Sequence, residues 1–62
     1  MDNQEKAMVY DNCLRESDRL QREISKLKSE YAGNIPPDVQ QKIDENTKRI
    51  AVLVNRLENL FK

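Results

Sequence analysis

The only glycine, Gly33, and the only two prolines, Pro36 and Pro37, lie within five positions of one another at the midpoint of the 62-residue chain, in the stretch SEYAGNIPPDVQQK. On either side nothing interrupts a helix. Glycine just past a helix end adopts the left-handed conformation that closes it. Proline is pre-organised for the first turn of the next helix, where its missing N–H is no loss. The cluster therefore reads as a stop signal followed by a start signal, and it divides the chain into two helical halves.

Each half carries one heptad pattern. Apolar residues recur at spacings of three and four through Tyr10, Cys13, Ser17, Leu20, Ile24, Leu27 and Tyr31, with Ser17 the polar member. In heptad letters, a falls at 10, 17, 24 and 31, and d at 13, 20 and 27. The second half repeats the pattern through Val39, Ile43, Asn46, Ile50, Leu53, Leu57 and Leu60, with Asn46 the polar member. There d falls at 39, 46, 53 and 60, and a at 43, 50 and 57. Asp2 with Glu5 three residues on forms a capping-box signature. Asp38 falls in the positive first turn of the second helix.

The flanking charges favour an antiparallel hairpin over a kinked single helix. Folded about the turn, Tyr31 is set near Val39, Leu27 near Ile43, Leu20 near Ile50, Cys13 near Leu57 and Tyr10 near Leu60. The g positions then match as Glu30 with Lys42, Glu23 with Arg49 and Glu16 with Arg56, all of opposite sign. The e flank changes character along its length. Lys28 faces Gln40 and Gln21 faces Thr47 near the turn, whereas Leu14 faces Val54 and Ala7 faces Phe61 toward the open end. Met8, Val9 and Val52 add apolar surface around that end. The expected fold is all-α: one antiparallel two-helix coiled-coil hairpin over residues 1–62, with helices near 3–32 and 36–61 and a turn at 33–36.

A chain this short is near the limit for a self-sufficient core, and one seam between two helices offsets little of the entropy of ordering it. An exposed apolar strip of this kind marks an association surface. The open-end flank, Ala7, Tyr10, Leu14, Val54, Leu57 and Phe61, is accordingly the expected interface. Its occupant is a second copy, giving a homodimeric four-helix bundle, or a helix of a partner protein.

Other chemistries find less support. Apolar residues make up 37% of the chain and charged residues 35%, a balance suited to long solvated helices. Eleven bases balance eleven acids, which argues against a general nucleic-acid or membrane-surface binder. Arg15, Arg19, Arg22 and Lys26 do form a basic stripe on the outer face of the first helix. That stripe is a candidate phosphate contact in a small nucleic-acid-binding regulator. The competing reading is a solvated face, because each base has an acid a turn before it: Asp11 for Arg15, Glu16 for Arg19, Asp18 for Arg22 and Glu23 for Lys26. The second helix repeats that order with Asp38 and Lys42, Asp44 and Lys48, Glu45 and Arg49, and Glu58 and Lys62.

The chain has one cysteine, Cys13, and no histidine, so neither an intramolecular disulfide nor a Cys/His metal site is expected. Cys13 at d reads as a small buried hydrophobe, Ser17 as a small seam residue that lets the helices approach, and Asn46 as a register device. Tyr10 and Tyr31 cap the two ends of the seam. No Gly-rich phosphate loop and no nucleophile paired with a base is present, so neither an enzyme, a cofactor nor a small-molecule substrate is expected. No leader-like or long apolar segment follows Met1, and the expected location is cytoplasmic, with no membrane partner. The expectation is a small non-enzymatic protein–protein interaction module: an adaptor, an assembly factor or a regulator.

Overall fold

The structure is a computed structural model and describes residues 2–61. It contains two helices, α1 (Asn3–Glu30) and α2 (Pro37–Leu60), packed against each other. Among the described residues there is no strand. The molecule is a rod of 47 × 14 × 13 Å, as a two-helix hairpin must be.

The ends of the helices follow from their residues. At the start of α1 the backbone N–H of Glu5 donates to Asp2 Oδ1 at 2.8 Å, which satisfies one of the orphan donors of the first turn. At its end the Tyr31 N–H still reaches the Leu27 carbonyl at 3.1 Å, and the Asn34 N–H closes a turn onto the Tyr31 carbonyl at 3.0 Å. Gly33 sits at φ +82° within that turn. Because the turn begins at Tyr31, α1 stops at Glu30 rather than near residue 32. Pro37 takes the first helical position of α2, after Pro36 at φ −62° and ψ 153°. The extended conformation of Pro36 is the one a following proline imposes, and α2 therefore runs from Pro37 to Leu60.

The core is small. Cys13, Leu20 and Leu53 form its buried cluster, and Val9, Ile50 and Leu57 pack against it. Ile43 is buried nearer the turn. Ser17 is buried as well, the position where a small side chain permits close approach of the helices. Asn46 is half-buried in the seam, and its Nδ2 is buried without a hydrogen-bond partner. Tyr10 and Tyr31 lie at the two ends of the seam with about two-fifths of each side chain in solvent.

The pairing of the two helices differs from the sequence expectation on one flank. Lys42 Nζ lies 3.5 Å from Glu23 Oε1, and Arg49 Nε lies 3.3 Å from Glu16 Oε1. Each base is thus bound to the acid one heptad nearer the open end than the expected Glu30 and Glu23, and Glu16 meets Arg49 instead of Arg56. Glu30 instead faces Lys26 of its own helix at 4.0 Å. The short connection explains the shift. Glu30 ends one helix and Pro37 begins the other, so residues counted outward from these two are level. In that count Glu16 and Arg49 are about 3 Å apart along the axis, and Glu16 and Arg56 about 7.5 Å, at the helical rise per residue. The same count puts Leu53 at the level of Cys13, where the two cluster with Leu20, and Ile50 and Leu57 pack against that cluster. On the e flank it keeps Ala7 beside Phe61 and Leu14 beside Val54.

Candidate interaction surface at the open end

The e flank is the face opposite the Glu16–Arg49 and Glu23–Lys42 ion pairs. Heptad geometry puts Ala7 and Leu14 of α1 there, with Val54 and Phe61 of α2. Leu14 and Val54 are each 43% exposed and Phe61 is 66% exposed, which is high for large apolar side chains. Tyr10 and Phe61 meet across the open end with ring centroids 5.8 Å apart and planes inclined by 68°. That edge-to-face arrangement is the favoured one for aromatic pairs, and it ties the last residue of the described chain to the second turn of α1.

Below the aromatic pair lies an open pocket of about 400 Å³ lined by Asn3, Lys6, Ala7, Tyr10 and Phe61. The structure therefore brings Ala7, Tyr10 and Phe61 into one site, with Leu14 and Val54 farther along the flank. Leu57 has a different place: it is half-buried against the core cluster and supports the flank from beneath. Asn3 and Lys6 are pocket residues that the heptad reading passed over. Their signal was present, since each lies one turn before a pocket residue, Ala7 and Tyr10, and so shares its face. Met8 and Val52, 61% and 46% exposed, fall at f and c, away from this flank. Val9 turns inward to the core.

Nearer the turn the flank is polar, and on α2 it is already satisfied. The Thr47 hydroxyl donates to the Ile43 carbonyl at 2.9 Å, and Gln40 Nε2 donates to Asp44 Oδ1 at 3.0 Å. Covering these two bonded donors costs no hydrogen bond, whereas the second Gln40 N–H and its Oε1 need a partner when covered.

The basic stripe is arranged differently. Arg15 binds Asp11 and Arg22 binds Asp18, each at 3.0 Å, and Lys26 approaches Glu30. The expected pairs of Arg19 with Glu16 and Lys26 with Glu23 do not form, because both acids reach across to α2. On α2, Asp44 and Glu45 accept from Gln40 and Gln41 rather than pairing with Lys48 and Arg49, and Lys42 goes to Glu23 rather than Asp38. The pair of Glu58 with Lys62 lies outside the described residues.

Among the described residues no group of three metal-ligating side chains comes together, and no helix is long and apolar enough to cross a membrane. No protein-family model, curated protein or solved structure matches the chain.

Proposed function

We propose that this chain is a small non-enzymatic protein–protein interaction module, and that the e flank at its open end is where another helical surface docks. One observation carries the reading. Four large apolar side chains, Tyr10, Leu14, Val54 and Phe61, remain exposed on one face of a hairpin whose buried hydrophobic core, among the described residues, has four members. A chain with so little core gains disproportionately from covering such a strip. Two kinds of occupant suit an elongated apolar flank between two helices: a second hairpin, which completes a four-helix bundle, or a single helix of another protein.

The test is the effect of Leu14→Asp and Phe61→Asp on association. Both positions are solvent-exposed in the isolated hairpin, so the variants are expected to keep their helicity and lose self-association and helix capture. Association that survives in both variants removes the flank from consideration.

A second reading, a nucleic-acid-binding regulator, is favoured by the solvent exposure of the stripe: the side chains of Arg15, Arg22 and Lys26 are 79%, 81% and 74% exposed. Against it, each of these bases already has an acid beside it. A gel shift with mixed RNA and DNA decides: salt-sensitive binding that is lost in Arg19→Glu supports the stripe, and no shift at high protein concentration rejects it.

A further inference from the structure

We infer that the occupant of the open-end flank is a second copy of this chain, related by a two-fold axis running along the length of the hairpin, so that α1 of one copy lies on α2 of the other. The inference rests on the flank being an interaction surface and goes beyond it by specifying the partner and its orientation.

Three features of the flank point to this arrangement. The first is size matching. Ala7 and Phe61 stand at one level of the hairpin and Leu14 and Val54 at another. Rotation about a lengthwise axis sets Phe61 of one copy against Ala7 of the other, the largest residue of the flank on the smallest, and Leu14 against Val54. The alternative axis, across the hairpin, lays α1 on α1 and loses that matching. The second feature is charge. The g flank closes on itself through Glu16–Arg49 and Glu23–Lys42, whereas the e flank carries one charge, Lys28, across from Gln40. In the lengthwise dimer Lys28 meets Gln40 of the other copy, so the e positions oppose no like charges, and at the rim Asp11, which comes level with Glu58 of the other copy, is held by Arg15. The chain is neutral overall, so copies do not repel at a distance.

The third feature is area. A face 47 Å long and 14 Å wide, covered along its length, buries on the order of 600 Å² per copy, or roughly 1,200 Å² for the pair, the lower bound of a specific stable interface. The polar half of the flank contributes to this at reduced penalty on α2, because Thr47 and Gln40 each keep a donor bonded within their own helix and Lys28 of the other copy is a donor to the Gln40 Oε1.

Sedimentation equilibrium of the native chain over roughly a hundredfold concentration range about the micromolar level tests the partner, with far-UV circular dichroism on the same samples. A reversible monomer–dimer equilibrium abolished in Leu14→Asp and Phe61→Asp is expected. A monomer at every concentration, folded or unfolded, overturns the second copy while leaving the flank to be judged by helix capture. A dimer that persists in both variants overturns the flank and this inference together. Orientation is read from two singly substituted chains, Asp18→Cys and Ala51→Cys, at exposed rim positions that face each other across copies only under the lengthwise axis. Mild oxidation of the mixture, with crosslinks mapped by peptide mass so that buried Cys13 is distinguished, should give the mixed disulfide above either self-linked product. Variants that dimerise without forming it overturn the lengthwise axis.

Discussion

The guanidinium of Arg49 straddles the carboxylate of Glu16, with Nε 3.3 Å from Oε1 and Nη2 3.4 Å from Oε2, thirty-three residues away along the chain. This two-pronged contact joins the helices at mid-height, and with Glu23–Lys42 it marks the register of the hairpin. A double-mutant cycle between Glu16→Ala and Arg49→Ala should give a coupling of about 0.5 kcal/mol, small because both side chains are partly in water. The cycle between Glu16 and Arg56 should give none. Urea titration of the six proteins measures both, and coupling to Arg56 in place of Arg49 places the helices in the other register.

Leu53 and its neighbour Val52 provide a contrast at one step of the chain. Leu53 is 1% exposed at the centre of the cluster, and Val52 is 46% exposed on the outer surface. Leu53→Ala should cost about 3 kcal/mol through lost burial and the cavity left behind. In a hairpin with so small a core that is expected to abolish the cooperative melt. Val52→Ala should change stability by less than about 0.5 kcal/mol. Thermal melts by circular dichroism compare the two, and equal effects contradict the packing described.

Asn46 holds a buried Nδ2 that finds no acceptor among the described residues. An unsatisfied buried donor costs about 1–3 kcal/mol, and asparagine is also a poorer helix former than leucine. Asn46→Leu should therefore raise the melting temperature. A polar seam residue also discriminates against alternative registers. The same variant should consequently show additional conformers, visible as extra amide cross-peaks in NMR. A lowered melting temperature with a single set of peaks indicates that the amide is satisfied in solution.

Gly33 lies at φ +82°, and a Cβ built there meets nothing within 4 Å. The cost of a side chain is thus confined to the backbone, where an L-residue is strained. Gly33→Ala should destabilise by about 1 kcal/mol. D-alanine at the same position, accessible by total synthesis, should stabilise instead, because it favours positive φ and restricts the unfolded chain. Destabilisation by both enantiomers rules out the left-handed turn.

At the other end, Asp2→Ala removes the acceptor for the Glu5 N–H. The loss should be about 1 kcal/mol, expressed as faster hydrogen exchange at the Glu5 amide while amides around Leu20 are unchanged. Equal exchange at Glu5 in both proteins contradicts the cap.

Much of this molecule follows from local rules that act along the chain. Helix periodicity, the Asp2 cap, the Gly33 turn and the Pro37 start each depend on residues within one or two turns of one another, so the sequence states them directly. The seam positions are legible for the same reason. Cys13, Ser17, Leu20, Ile43 and Leu53 sit at a or d, and all are buried. The exposure of Leu14, Val54 and Phe61 also agrees with their e positions.

Local patterning along the chain dictates two amphipathic helices and the breakpoint between them, and it leaves open how far one helix slides along the other. The a and d residues repeat every seven positions on both helices, so pairings that differ by a few residues bury comparable apolar surface, and opposite charges at g match in either of two registers. Only the folded turn decides between them. Six connecting residues, Tyr31 to Pro36, hold Glu30 and Pro37 at one end of the rod, and the register is set by that closure. Glu16 consequently meets Arg49, Glu23 meets Lys42, and Phe61 folds over Tyr10. Leu57, grouped with the flank although its spacing puts it at seam position a, packs against the core cluster as that position requires. Contacts between residues distant in sequence depend on where the two helices come to rest, and that position is a property of the tertiary structure.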